Sequence, residues 1–461
     1  MTTRSLPTAT PASQGVDAAG PLAFLDALEA DPDIEPHSLM IMRHGRLVAS
    51  GWWAPYTAER LHLVYSLSKS FTSTAAGFAV DEGLLDLDDP VLSYFPELDA
   101  EVTDPRSRAM LVRHVASMAS GHEADTVDRA HALDPEDLVR GFLLLPPERD
   151  PGSVFAYNQC ATFTLGAIVQ RVTGQSLTGY LRPRLFDPIG IGEAAWLRDR
   201  SGRELGFSGL HVTTDAIARL GQLYLDRGMW QGRRVLPESW VARASRPWVA
   251  TEGAAVNADW RQGYGLQFWA SRHGYRGDGA YGQFCVVLPE HDAVIATTAA
   301  TVEMQRMLEL AWTHLLPAFG PEPLSGREAA DAALAERLAG LALPPAPGKT
   351  TTGDRPPVVL GSGATTLEVD GDRMTLVRDG HRLELAAAQG GWSVAEGPVP
   401  TAVSGGWTDA DTLEVEVLFL ETPHRLALTG SLRAGTLEAR WRTEPLHGRP
   451  LHAMGAPRRS V

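Results

Sequence analysis

Lysine is almost missing from this chain. Of its 41 basic residues only Lys69 and Lys349 are lysines, and every other one is arginine. So strong a bias reflects the codon usage of a GC-rich genome. Cysteine is scarce too. Cys160 and Cys285 both lie in apolar runs, which excludes a disulfide framework and fits a reducing compartment. No stretch approaches the length and apolarity of a membrane span, and Met1 to Val16 is rich in Thr, Pro and Ala with no apolar signal-peptide core. The chain is therefore expected to be cytoplasmic. The net charge is −15 and there is no basic stripe or tail, which excludes nucleic acid as a partner. The 14 histidines show no His-x-x-x-His spacing and the cysteines no Cys-x-x-Cys, so neither a metal site nor another cofactor is expected.

What is present starts with one of the two lysines. Lys69 stands three positions after Ser66 in Tyr65-Ser66-Leu67-Ser68-Lys69-Ser70. A lysine kept against the arginine bias points to a role arginine cannot fill. An ammonium can lose its proton in a dry pocket, whereas a guanidinium effectively cannot. A general base must be able to do so. The run from Ser70 to Val80 is small and apolar and reads as a buried helix. That places Ser66 at a helix N-terminus with Lys69 one turn on, on the same face. The helix dipole there favours a developing oxyanion. Taken alone, Ser-x-x-Lys is a weak signal, because a capping serine and a solvated lysine give the same pattern.

Forty-four per cent apolar residues over 461 positions allow two or three domains with ample cores. Helical patterns cover residues 21–31, 113–118, 135–144, 160–172, 213–226, 237–244 and 304–316. Residues 38–42 and 46–53 read as a hairpin about His44-Gly45, and 264–270, 283–288 and 293–298 as the central strands of an antiparallel sheet. After Pro317 the chain turns Pro- and Gly-rich, with a short helix near 328–338 and Lys349 at the solvated edge of a linker. From about Pro356 apolar and polar residues alternate, as in Leu413, Val415 and Val417 against Glu414 and Glu416. About eight short strands parted by turns such as Asp379-Gly380 point to a small up-and-down barrel or sandwich. The expected division is 1–320, a linker at 321–355, and an all-β domain at 356–461.

A Ser-x-x-Lys site needs a proton relay, a polar group to orient substrate, and a strand edge to complete an oxyanion hole. Phe155-Ala156-Tyr157-Asn158-Gln159 and Gly277-Asp278-Gly279-Ala280-Tyr281-Gly282-Gln283 follow in that order. Residues 10–320 closely resemble the serine β-lactamase/penicillin-binding-protein superfamily, most of all its class C β-lactamase-like branch of esterases and D-amino-acid amidases. Further landmarks carry the resemblance: Leu84-Leu85-Asp86-Leu87-Asp88-Asp89-Pro90, His114 to His122, Pro151-Gly152-Ser153, Ser208-Gly209-Leu210 and Val235 to Trp240. It implies an α+β fold, an antiparallel sheet flanked by helices plus an α-helical subdomain. There are two departures. The family's Tyr-x-Asn is Tyr157-Asn158-Gln159 here, an amide one methylene longer. Its Lys-Thr-Gly or His-x-Gly is Gly277-Asp278-Gly279, with no cation in first place and an acid in second, which argues against efficient β-lactam hydrolysis. A shifted alignment places His273-Gly274 at that motif instead.

The resemblance implies a role for each residue. Ser66 is the nucleophile and Lys69, held neutral by burial, its base. Tyr157, as phenolate or relay, passes a proton to the leaving group, coupled to Lys69. The backbone N–H groups of Ser66 and Ala280 form the oxyanion hole. Gln159 and Asp278 contact substrate unless they are surface loop groups, and His122 lines the mouth unless it is a turn residue. Trp52, Trp53, Tyr56 and Phe207 wall an acyl pocket unless they pack in the core. The expected activity is hydrolysis of a small ester or amide through an acyl-enzyme. The alternative is an acyltransferase, a thioesterase or peptide cyclase that takes a carrier-bound acyl group to an amine. Penicillin-binding-protein-type thioesterases resemble this chain in joining such a domain to a lipocalin-like barrel, whose exclusion of water would favour aminolysis. A non-catalytic binding protein on the same fold is opposed by the intact Ser66, Lys69 and Tyr157.

Overall fold

Alternating side chains of the first long strand, Glu35–Arg43, are claimed by two different cores. Leu39 and Ile41 enter one, while Met40 and Met42 enter the other. The computed structural model, which describes residues 5–253, 256–346, 348, 356–388, 390–446, 448 and 450–457, explains this with one sheet buried on both faces. Its six antiparallel strands run in the order Arg46–Trp52, Glu35–Arg43, Ala293–Ala300, Gln283–Leu288, Tyr275–Gly279 and Trp269–Ala270. Helices Ala19–Ala30 and Met304–His314 cover one face, and Thr214–Leu225 covers the other.

The sheet differs from the sequence reading in one place. Residues 264–270 form a strand only at Trp269–Ala270, and the missing strand is Tyr275–Gly279. Its glycines argue against a strand by propensity, but close packing requires them. A Cβ at Gly279 would lie 2.0 Å from the Val64 carbonyl oxygen, and one at Gly277 would lie 2.4 Å from Ser70 Oγ.

Beyond the sheet, the serine helix Ser68–Asp81 is buried from Ser68 to Ala79. Its small hydroxyls are all bonded. Ser70 and Ser73 donate to the carbonyls of Gln267 and Leu266, and Thr72 donates to that of Gly206. Short helices between Pro105 and Leu181 pack around the long helix Gln159–Thr173. That helix starts where it does because the buried Asn158 accepts from the Cys160 N–H.

The segment read as a linker is packed for much of its length. Helix Glu328–Ala339 lies against strand Arg46–Trp52, with Leu338 and Leu341 in the same core as Trp53. Lys349 lies outside the described residues. Among the described residues the C-terminal region forms nine strands, where about eight were expected, and no closed barrel. A four-stranded meander, Val358–Ser362 to His381–Ala386, faces a five-stranded one, Ser393–Ala395 to Thr436–Thr443. The two enclose a core of Leu360, Leu376, Val415, Phe419 and Leu428. Among the described residues no ladder joins the two sheets. None of their helices is long and apolar enough to cross a membrane, and no cluster of three or more His, Cys, Asp or Glu could hold a metal ion.

Candidate active site

Ser66 sits in the 3-10 turn Tyr65–Leu67, immediately ahead of the serine helix. Tyr65 holds φ at +45°, a left-handed conformation that costs a bulky residue on the order of 1–3 kcal/mol unless its surroundings enforce it. Here they do. Ser68 Oγ donates to the Tyr65 carbonyl at 2.5 Å and accepts the Leu210 N–H at 3.1 Å, and Val64 N–H donates to the Leu210 carbonyl at 2.9 Å. The turn leaves Ser66 partly exposed while Lys69 beneath it is 1% exposed.

Lys69 Nζ has three neighbours: Ser66 Oγ at 3.0 Å, Gln159 Oε1 at 2.7 Å and the Phe207 carbonyl oxygen at 2.8 Å. The last two can only accept. A neutral amine therefore spends both N–H bonds on them, and its lone pair is left facing Ser66. Burial brings the Lys69 pKa down to about 7, against the opposing charges of Asp125 and Asp278. Its ammonium form is further supported by the rings of Tyr157, 4.6 Å away, and Phe207, 5.8 Å away.

Tyr157 enters from the loop ahead of helix Gln159–Thr173, with its hydroxyl near Ser66. Its ring stacks on Trp269, with centroids 5.5 Å apart, and meets Tyr264 edge-on. The residue as a whole is partly exposed, but its hydroxyl end is densely surrounded. Burial first, and then the charge of Asp278, hold its pKa well above that of free tyrosine, and the bond to Ser66 only partly offsets them. Of the two forms expected from sequence, the phenol is the one this environment favours.

Asp278 does not stand as a bare negative charge. Arg276, two residues earlier on the same strand face, is completely buried and donates from Nε to Asp278 Oδ2 at 3.0 Å. Burial raises the Asp278 pKa, while Arg276 and Lys69 pull it down. The expected repulsion of anions by Asp278 is thereby muted. Gln159 is bound to Lys69, so the arrangement makes it a holder of the base as well as a polar group beside the serine. Gly279, pressed against Val64, brings the end of its strand, and with it Ala280, up to the Ser66 turn. His273 belongs to the other end of that strand and rests against Trp312.

His122 does not line the mouth. It is fully buried, with Nδ1 bonded to Ser120 Oγ at 3.0 Å and Nε2 to the Leu145 carbonyl at 3.1 Å. Trp53 and Tyr56 are likewise drawn into the core, the first bonded to Glu29 and the second stacked on His37. Only Phe207, of the four aromatics expected to wall a pocket, adjoins Lys69. Sequence reasoning missed Trp269, Arg276, Asp125 and the Phe207 carbonyl. The one available signal was the i, i+2 spacing of Arg276 and Asp278, hidden because the glycines between and after them masked a strand.

A family model described as Beta-lactamase matches residues 24–319. The 6-aminohexanoate-dimer hydrolase of Paenarthrobacter ureafaciens is 29% identical over 307 residues, covering 60% of this chain and 78% of that protein. Among solved structures, SurE superposes with a TM-score of 0.53 at 20% identity, covering 90% of this chain and 93% of its own. A penicillin-binding protein homologue from Caulobacter crescentus superposes with a TM-score of 0.53 at 17% identity, covering 68% of this chain and 99% of its own. At these identities the structural likenesses speak to the fold, and the first of them spans the C-terminal sheets as well.

Proposed function

Because the chain belongs to the beta-lactamase family of serine hydrolases and penicillin-binding proteins, we propose that it cleaves a small ester or amide through an acyl-enzyme on Ser66, in the manner of the class C-like branch. One observation carries the reading: a buried lysine whose two N–H bonds are engaged by fixed acceptors, so that its lone pair faces a serine 3.0 Å away. Lys69 takes the Ser66 proton as Oγ attacks the acyl carbon. The backbone N–H groups of Ser66 and Ala280 hold the oxyanion, which costs no reorganisation because both are fixed by packing. The Tyr157 phenol delivers a proton to the leaving alkoxide or amine and recovers one from Lys69, which returns the base to its neutral form. Water then attacks the ester by the same route in reverse. Gln159 holds Lys69, and Gln159 and Asp278 meet the substrate's polar groups. The hydrolysis of a 6-aminohexanoate dimer, for which the Paenarthrobacter relative is named, makes small amides a sensible first panel.

The second reading is acyl transfer to an amine; EstCE1, a hydrolase with promiscuous acyltransferase activity, shares the fold at 17% identity. The C-terminal sheets are then the lipocalin-like domain of a penicillin-binding-protein-type thioesterase, set to restrict water at the acyl-enzyme. Incubation with a fluorophosphonate, followed by peptide mass spectrometry, should place the adduct on Ser66, and Ser66→Ala should abolish it. Labelling that survives in Ser66→Ala would sink both readings. A panel of esters, amides and thioesters, with and without an amine acceptor, then separates them by product.

A further inference from the structure

The two backbone N–H groups assigned to the oxyanion hole are each next to a tyrosine. Tyr65 precedes Ser66, and Tyr281 follows Ala280. Both tyrosines hold positive φ, +45° and +71°. Both are buried, both belong to one small cluster with Leu63, and their rings meet at 5.5 Å. Both hydroxyls reach into the C-terminal part of the fold. Tyr65 Oη lies 2.6 Å from His424 Nε2, and Tyr281 Oη donates to the Glu444 carbonyl. Both partners come from the C-terminal sheets, some 160 to 360 residues further along the chain.

The histidine's tautomer follows from its other contact. His424 Nδ1 faces the Thr443 carbonyl at 2.9 Å, and a carbonyl only accepts, so Nδ1 carries the hydrogen. Nε2 is then a lone pair, and the Tyr65 hydroxyl donates to it. Thr443, which orients His424, and Glu444, which takes Tyr281, are consecutive residues at the end of the last strand, Thr436–Thr443. The His424 ring meets both tyrosines edge-on, at 5.8 and 5.7 Å. The loop before it is also tied down, since Leu63 N–H donates to the Glu421 carbonyl at 2.8 Å. One corner of the C-terminal domain therefore grips both sides of the hole.

We propose that His424 and the strand end at Thr443-Glu444 are positioning elements for the acylation step, acting through Tyr65 and Tyr281 to fix the oxyanion donors of Ser66 and Ala280. This deepens the acyl-enzyme reading and rests on it. The donors serve the transition state more than the bound substrate, so loosening them should lower kcat and leave KM nearly unchanged.

The test uses the full-length chain. Tyr65→Phe and His424→Phe should each slow acylation about ten- to a hundred-fold, less than the 10²–10³-fold that follows outright loss of an oxyanion donor. KM should stay within about twofold, the double variant should be no slower than either single one, and His424→Gln, whose Oε1 can accept, should recover most of the loss. Affinity for a phosphonate or boronate analogue should fall by the same factor as kcat. Acylation rates within twofold of wild type in both single variants would overturn the proposal. So would losses that follow the melting temperature and KM with no rescue by His424→Gln. Should wild-type Ser66 itself resist fluorophosphonate, the acyl-enzyme reading falls and this inference with it, whereas a labelled wild type beside unchanged variants removes this inference alone.

Discussion

Lys69 is the single side chain on which the proposed chemistry turns. A pKa brought down to about 7 by burial leaves a useful share of the amine neutral at physiological pH. The acylation rate should therefore rise with pH along a limb centred near 7 and then flatten. Tyr157, held well above the ordinary tyrosine range, should add no second limb below about pH 10. The sign for stability follows from the same shift. The folded pKa lies below the ordinary lysine value of 10.5, so the folded state sheds its proton first. Stability should rise with pH between about 7 and 10.5, and the burial cost is fully felt below 7. Lys69→Arg keeps the charge but cannot supply a lone pair, so single-turnover acylation should fall by roughly 10²–10⁴-fold and lose the limb near pH 7. Near-normal turnover by that variant would remove Lys69 as the base.

The strand Tyr275–Gly279 carries the argument at the scale of elements. Gly279 allows it to touch the serine turn, and the alternation of Arg276 and Asp278 sets a buried ion pair on its other contact face. Gly279→Ala would drive a Cβ to 2.0 Å from the Val64 carbonyl oxygen, and backbone cannot yield as a flexible side chain can. The overpacking should cost about 1–3 kcal/mol in chemical denaturation and lower the acylation rate, because Ala280 retreats from Ser66. Gly391→Ala, where a Cβ meets nothing within 4 Å, is the control and should change neither. If both variants acylate alike, the strand's closeness to the serine is irrelevant to turnover.

The whole molecule is held together across its two parts by buried charge as well as by apolar contact. Leu418 and Leu420 share a core with Trp53 and Leu343, so the C-terminal sheets are built into the hydrolase fold and are not tethered beside it. Next to that core Arg425 reaches both Glu35 and Glu416, and Glu35 also bonds His37. Despite burial, which raises it, the Glu35 pKa is brought down to about 2 by the bond to His37 and the charge of Arg425. A carboxylate depressed in this way contributes stability above its unfolded value near 4.5, and that contribution is lost as pH falls toward 2. Arg425→Met removes the guanidinium shared by Glu35 and Glu416, leaving Glu35 with His37 and Glu416 with Arg442, and should cost less than the roughly 3–5 kcal/mol of a fully stranded buried charge at neutral pH. It should also flatten the acid dependence, since Glu35 would no longer be held down by the guanidinium. Denaturation midpoints of wild type and variant across pH 3 to 7 measure both effects, and parallel acid slopes would refute the assignment.

Much of the catalytic constellation was legible in the chain because it is local. Ser66 and Lys69 are one helical turn apart, the hydroxyls and small residues after them demand a buried helix, and Tyr157 precedes a helix with a recognisable cap. The hairpin of strands Glu35–Arg43 and Arg46–Trp52 was legible from two apolar runs about the His44-Gly45 turn, and the strands after Pro356 from their period-two alternation. Strand Tyr275–Gly279 was not, because its glycines answer to a helix more than 200 residues away and not to their own neighbours. Of the barrel or sandwich expected after Pro356, the described residues form two facing sheets, and the choice was not legible because closure depends on the register between first and last strands, which no local pattern encodes. His122 looked available until packing occupied both its nitrogens, and Gln159, expected to contact substrate, was placed by the fold 2.7 Å from Lys69 as well. The sequence by itself determined which side chains can do the chemistry. Only the tertiary structure decided which of them are dry, partnered and aimed, because a hydrogen bond such as that between Tyr65 and His424, 359 residues apart, exists only once two separately patterned sheets have docked.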